Sequence, residues 1–390
     1  MDAEQILAFR LARSGLAARS VGGLAEAAAC PASDFTRHAA LLALSARCEG
    51  VSRERYERAT DAGEVVVAHV VRGAIHALAP GDLALYGRAL IARNEDELAA
   101  QLGRQVQRLA AERGFAVTGA LEEVAAATRN ALRDGGALDK TALHDALRER
   151  VDARLLPWCE GCRSQHVPPM VWRYATVAAG ARLDSARRYG LAEVGEAPPG
   201  AEAIRRFVGF YGPATAGAFA DWAGVAKSHA ERLWREVEGE LSEVAVGKQR
   251  LWLLARDAGE LDSPPRAEGV RLIPPGDPYL QKPNRPLLAP AAELRRRLFR
   301  PVASPGAVLK GGRLAGLWRV RAKGERPRSP SSGSGTSRET TSPKRCGVWL
   351  RCAGPPTPSS RWTDTQRRLG SGEPDRASRA SGAGLRSGPG

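Results

Sequence analysis

The chain has 390 residues, is 43% hydrophobic and 26% charged, and carries a formal net charge of +15. That length implies about two to four folding units with real cores. No run of about 18 apolar residues and no charged-then-apolar leader stand out, so neither a helical membrane span nor a signal peptide is expected and a cytoplasmic location is. Six cysteines in so long a chain exclude a disulfide framework, and the basic excess points to a polyanion, of which nucleic acid is the usual one.

In the first stretch, residues 35–47 place Ala39, Leu42, Ala43 and Ala46 at helical spacing. Ser52 can cap a second helix over 53–59. Two β-branched apolar runs, 64–71 and 74–78, flank Arg72-Gly73 and predict a hairpin. Cys30 and Cys48 sit near apolar helices and are expected to be buried, reduced thiols. A long helix is expected over residues 83–112. A second unit begins near Thr118, with Leu121, Val124, Ala125, Thr128 and Leu132 on one helix face. Asp139 caps the next helix, and a helix over 169–179 and extended chain over 183–191 complete the unit.

The third unit is the clearest. A helix over 214–223 turns at Gly224 into a second helix over 227–241, with Ser228 and Glu231 spaced as a capping box. Residues 242–246 and 249–254 flank Gly247-Lys248, a hairpin with a basic tip. The Pro-rich stretch 269–323 contains another hairpin signal, 306–310 and 314–321 around Gly311-Gly312. From residue 324 onward the apolar periodicity stops, and twelve Lys/Arg stand against five Asp/Glu in a Gly/Pro/Ser-rich segment. Such a composition cannot offset chain entropy by burial, so a disordered tail is expected. It is also the composition that reading a GC-rich gene in a shifted frame yields.

Four motifs carry a family resemblance. They are Arg72-Gly73-x-x-His76 after an apolar strand, Tyr211-Gly-Pro-Ala-Thr215 with Phe219-x-x-Trp222-x-Gly224, the segment 272–279 (LIPPGDPY) and the segment 312–318 (GRLAGLW). In this order they resemble the bacterial winged-helix DNA-binding domain proteins, over most of residues 3–323. That family includes DNA glycosylases that unhook interstrand crosslinks and excise alkylated bases. The resemblance implies an α+β, mainly α chain. Its parts would be three tandem winged-helix units (1–115, 116–196, 197–264), a small C-terminal β domain (265–323) and the tail (324–390). It also implies a glutamine-x-glutamine or glutamine-x-aspartate pair that positions water at the glycosidic carbon. The corresponding stretch here, residues 29–34 (ACPASD), has no glutamine. Asp34 is the candidate base that remains, with helix capping as its other role. No aromatic wedge for base flipping stands out.

The remaining candidates are DNA contacts and one metal motif. Arg72 and His76 lie on the first hairpin, and Thr215, Lys227, His229 and Arg232 on the third helix-turn-helix. Lys248 and Arg250 lie on its wing, Arg313 and Arg319 on the last hairpin. Trp158-Cys159-x-x-Cys162-x-x-x-His166 has zinc-ligand spacing but no evident fourth ligand, and is read as a surface turn with two reduced cysteines and no metal. The expected function is therefore duplex-DNA binding by tandem winged helices with no catalysis assured, and with no cofactor, no membrane and no obligate protein partner. Excision of alkylated or crosslinked bases is the alternative.

Overall fold

In the computed structural model, which describes residues 1–20, 22–322 and 346–352, side-chain caps set where many helices begin. Asp2 accepts from the Gln5 amide and opens α1 (Ala3–Arg13), which α2 (Leu24–Ala27) follows. After β1 (Ala32–Ser33) come α3 (Ala39–Ser45) and α4 (Arg53–Ala62), the latter capped by Ser52 as expected. Strands β2 (Val66–His69) and β3 (Ile75–Leu78) pair with Val66 opposite Leu78, across a turn where Arg72 takes a φ of 59°.

The continuous helix expected over 83–112 is broken. A π-helical turn at Ala84–Arg88 precedes α5 (Glu95–Leu102) and α6 (Arg104–Arg113). Asn94 caps α5, and Gly103, at φ +88°, separates the two helices. Next come α7 (Val117–Gly135), α8 (Lys140–Arg148, capped by Asp139), β4 (Trp158–Cys159), β5 (Ser164–Gln165), α9 (Pro169–Ala179), β6 (Ala181–Leu183) and β7 (Tyr189–Leu191).

A further three helices and a hairpin follow: α10 (Ala201–Tyr211), α11 (Ala216–Ala223, capped by Thr215), α12 (Lys227–Arg235), β8 (Leu241–Val246) and β9 (Gln249–Leu254). The expected capping box does not form. The N-cap of α12 is Ala226, and Ser228 Oγ donates instead to Glu97, 2.9 Å away on α5. The helix also ends six residues earlier than 241, because Leu241 is already extended at the start of β8. The chain continues through α13 (Ala258–Asp262), β10 (Val270–Ile273), α14 (Arg285–Leu288), α15 (Ala292–Leu298), β11 (Gly306–Lys310) and β12 (Arg313–Ala322), with β13 at Cys346–Cys352. Gly311 and Gly312, both at positive φ, close the β11–β12 hairpin, which is what such a two-residue turn requires. Apart from β13, the tail expectation for residues 324–390 lies outside the described residues.

Packing follows from the strands. The main sheet has the order β1-β3-β2-β6-β7, and its β2 is buried on both faces. Because side chains alternate along a strand, Val65 and Val67 join a core with α3, α7, α8 and α9, whereas Val66 and Ala68 join a second core with α10, α11 and α12. That second core holds the aromatic cluster Phe207, Tyr211, Phe219 and Trp222. A third core unites Ile273, Ala307 and Leu309 with Leu11 and Leu16 near the N-terminus. The architecture is thus mixed α/β with small antiparallel sheets.

Candidate active site

The edge strand β1 leads straight into Asp34. Ser33 pairs with His76 on β3, and the Asp34 amide donates to the Ile75 carbonyl at 2.9 Å, so the backbone here is an extension of the sheet. The side chain then turns inward and is only 2% exposed. Its Oδ1 accepts from the Ala40 amide at 2.8 Å, in the first turn of α3, where an anion is favoured by unpaired N–H groups. Its Oδ2 accepts from the Tyr56 hydroxyl at 3.0 Å and from Arg187 at 2.8 Å. Arg187 reaches in from the β6–β7 turn, where it takes φ 68°, and also donates to the Asp34 carbonyl at 2.7 Å.

Burial pushes the Asp34 carboxyl up, and the Ala40 amide, Arg187 and Tyr56 pull it partly back. A carboxylate offers about four acceptor sites. Three donors occupy it, which leaves one lone pair on Oδ1. The Nη1 of Arg187 is buried without a hydrogen-bond partner. His38, at the start of α3 with φ 66°, places Nε2 2.9 Å from Glu57 on α4. Burial and the neighbouring Arg53 and Arg37 lower its pKa. Next to Asp34 in the chain, Phe35 is 70% exposed. The Gly276 loop closes the far side. A Cβ there would lie 3.3 Å from Ser33 Cβ.

The sequence singled out Asp34 alone in this group. Tyr56 and Glu57 look like ordinary helix-face residues, and Arg187 lies in a turn with no motif. Phe35 was missed as well, and its exposure as a large apolar ring is visible only in the structure.

Several expected DNA contacts are structural instead. His76 is buried in β3, its Nδ1 against the Ala74 carbonyl at 2.9 Å, and burial lowers its pKa to about 4. His229 is buried on the inner face of α12. Arg72 donates to the Trp222 carbonyl and to Gln281, and lies under Gly224, so it clamps the first hairpin to α11 and the C-terminal loop. Hairpin position and helix phase say nothing about what the rest of the chain lays over these three side chains, and for His76 a structural role stood open beside the DNA contact. Thr215 is half-buried and accepts from the Ala218 amide. Arg232 pairs with Glu97, Arg250 with Glu243 across its hairpin, and Arg313 with Glu4. Lys227, Lys248 and Arg319 are exposed. Cys159, Cys162 and His166 are brought together, as described below.

A family model for AlkZ-like DNA glycosylases matches residues 31–330. The sequence is 32% identical over 125 residues to an interstrand DNA cross-link repair glycosylase of Streptomyces sahachiroi, a stretch that is 30% of this chain and 33% of that relative. The match therefore spans about a third of the relative's length. The solved structure of the DNA glycosylase AlkZ from the same organism superposes with a TM-score of 0.64 at 23% identity, over 82% of this chain and 88% of that one, a likeness of fold. The expectation of a DNA-binding protein with no catalysis assured rested on missing glutamines in one six-residue stretch, and a family match across residues 31–330 overturns it in favour of the alternative. No helix among the described residues is long and apolar enough to cross a membrane. The chain belongs to the AlkZ-like DNA glycosylase family.

Proposed function

We propose that this protein hydrolyses the glycosidic bond of alkylated or crosslinked bases in duplex DNA, with Asp34 as the central catalytic group. The observation that carries this reading is a buried carboxylate, held by three donors and keeping one lone pair on Oδ1, in the segment where the family resemblance implies the water-positioning pair.

The chemistry suits that geometry. An N-alkylated purine already bears a positive charge, so it leaves as a neutral base and takes the bonding electron pair without a general acid. As the C1′–N bond breaks, positive charge develops on the sugar, and a nearby carboxylate in a poorly hydrated site stabilises it. Water then forms the C1′–O bond and gives its proton to Asp34 Oδ1 or onward to solvent. Arg187 keeps Asp34 in place through its bonds to the carboxylate and the Asp34 carbonyl. Phe35 supplies an exposed ring that can fill the gap left by an extruded nucleotide.

In this reading residues 1–115, 116–196 and 197–264 act as winged-helix units and 265–323 as a β domain around duplex DNA. Lys227, Lys248 and Arg319 meet phosphates, and the protein works on chromosomal DNA in the cytoplasm without an obligate partner. The test is release of free base from duplexes carrying N7-methylguanine or a defined interstrand crosslink, followed by scission of the abasic product. Time-dependent release by the full-length protein is expected. No release of either lesion at enzyme excess would overturn the proposal.

A further inference from the structure

The hairpin β4–β5 sits between α8 and α9 and pairs Trp158 with Gln165 and Cys159 with Ser164. Its turn is built around sulfur. The amides of Cys162 and Gly161 point at Cys159 Sγ, and Arg163 takes a φ of 50° just after the second cysteine. Gly161 passes close enough that a Cβ there would lie 4.0 Å from that sulfur. Such amides serve a thiolate better than a thiol.

His166 completes the group. Its Nδ1 is 2.8 Å from the Val167 carbonyl, which fixes the tautomer and ring direction in the way metal-bound imidazoles are usually held. Its Nε2 is buried without a hydrogen-bond partner. The two sulfurs and the imidazole nitrogen lie within 4.8 Å of one another. A tetrahedral zinc ion, with bonds of about 2.3 Å to sulfur and about 2.0 Å to nitrogen, would draw them to about 3.5–3.8 Å apart. That contraction of about 1 Å is within reach of side-chain torsions.

His144 on α8 lies beside this three-residue group. His144 also has a buried Nδ1 without a partner, and its ring centre is 5.4 Å from that of His166. The ring also lies 4.6 Å from Trp172 on α9. The orphaned His166 nitrogen beside two thiols is costly when left unpaired and is satisfied by a cation, toward which the neighbouring His144 can turn. Soft thiolates with imidazoles in a four-ligand set select zinc over the oxygen-seeking cations.

We propose that Cys159, Cys162, His166 and His144 bind one structural zinc ion, which ties the β4–β5 hairpin to α8 and fixes the start of α9. The site is independent of the excision chemistry. A closed four-ligand shell leaves no open position for water or substrate, so the ion braces the fold.

Elemental analysis of full-length protein purified from zinc-supplemented cells should give about one zinc per chain. Cobalt added to the chelator-treated protein should give a thiolate-to-cobalt charge-transfer band with tetrahedral d–d bands. Cys159→Ser, Cys162→Ser and His166→Gln should each lose the metal, while Cys30→Ala should keep it. Zinc retained in full by His144→Gln would overturn the role of His144. Wild-type protein without zinc, with a cobalt spectrum lacking the thiolate band or with a Cys159–Cys162 disulfide by mass, would overturn the site. The cobalt spectrum is read on wild-type protein, so misfolding of a variant cannot decide the matter.

Discussion

Burial and hydrogen bonding set Asp34 at odds with itself, and the sign of each effect is testable. Burial is the larger influence, so its folded pKa lies above the ordinary 3.8. The folded state therefore binds this proton more readily than the unfolded chain. The buried anion costs stability at neutral pH, and that cost is relieved as pH falls through the folded pKa. In the proposed mechanism activity runs the other way, because Asp34 would act as the anion. We expect kcat/KM to fall on the acid side with an apparent pKa above 3.8. Asp34→Asn should remove that limb together with about 10²–10⁴ of the rate. An unchanged acid limb in Asp34→Asn would assign it to another group. Phe35 gives a second residue-level prediction. Its ring is largely solvent-exposed, so Phe35→Ala should leave the unfolding midpoint unchanged. It should slow release from paired lesions, with recovery when the lesion is already unpaired, because the wedge only offsets the cost of unstacking. Equal slowing on both substrates would argue against a wedge. Asp34 was legible in the sequence as a lone carboxylate before a helix. Tyr56 and Arg187 were not, since their contacts to it span 22 and 153 residues.

At the scale of elements, legibility follows the range of the interaction that fixes each end. Ser52 and Asp139 cap their helices through bonds to amides three residues on, so the sequence alone locates them, whereas Thr215, expected as a DNA contact in a helix starting at 214, caps α11 in the same way. Ser228 looked equally good, yet Glu97 on α5 takes its hydroxyl and also pairs with Arg232. The same contrast separates the two basic hairpins. Arg72 is a clamp, and losing it leaves the Trp222 carbonyl and Gln281 without their donor, a cost of about 1–3 kcal/mol. Arg72→Ala should therefore lower the denaturant midpoint while leaving the slope of log K for DNA against log salt unchanged. Lys248, exposed at the β8–β9 tip, should do the reverse. Lys248→Ala keeps the midpoint and makes the salt slope shallower by about one. Exchanged outcomes would put Arg72 on phosphate and Lys248 in the fold.

For the whole molecule, charge and composition announced a polyanion binder, but they are silent on catalysis, which depends on a few side chains that the fold assembles. The same holds for acid stability. His69 and His76 sit on paired strands of the main sheet, opposite Gly73 and Ala74 carbonyls, with both cores packed against that sheet. His69 also meets the Tyr189 hydroxyl at 3.0 Å, which links β2 to β7. Burial lowers both imidazoles to about 4, against the carbonyls that raise them. Arg173 and Arg187 add to the effect at His69, and Arg72 at His76. Both are neutral in the folded protein at pH 7, whereas the unfolded chain takes up each proton near 6.5. The unfolded state then binds more protons between those values. The stability they contribute is complete above 6.5 and is lost as pH falls toward 4, by up to about 1.4 kcal/mol per pH unit for each imidazole. Asp34 opposes this only near and below its own folded pKa. Urea midpoints measured from pH 7 to 4.5 should therefore fall steeply. The two cores should melt together, because the sheet between them is where the protons enter. His76→Gln should remove about one proton's share of the slope. A flat wild-type profile would mean that neither imidazole is buried neutral, and that the sheet does not join the two cores as described.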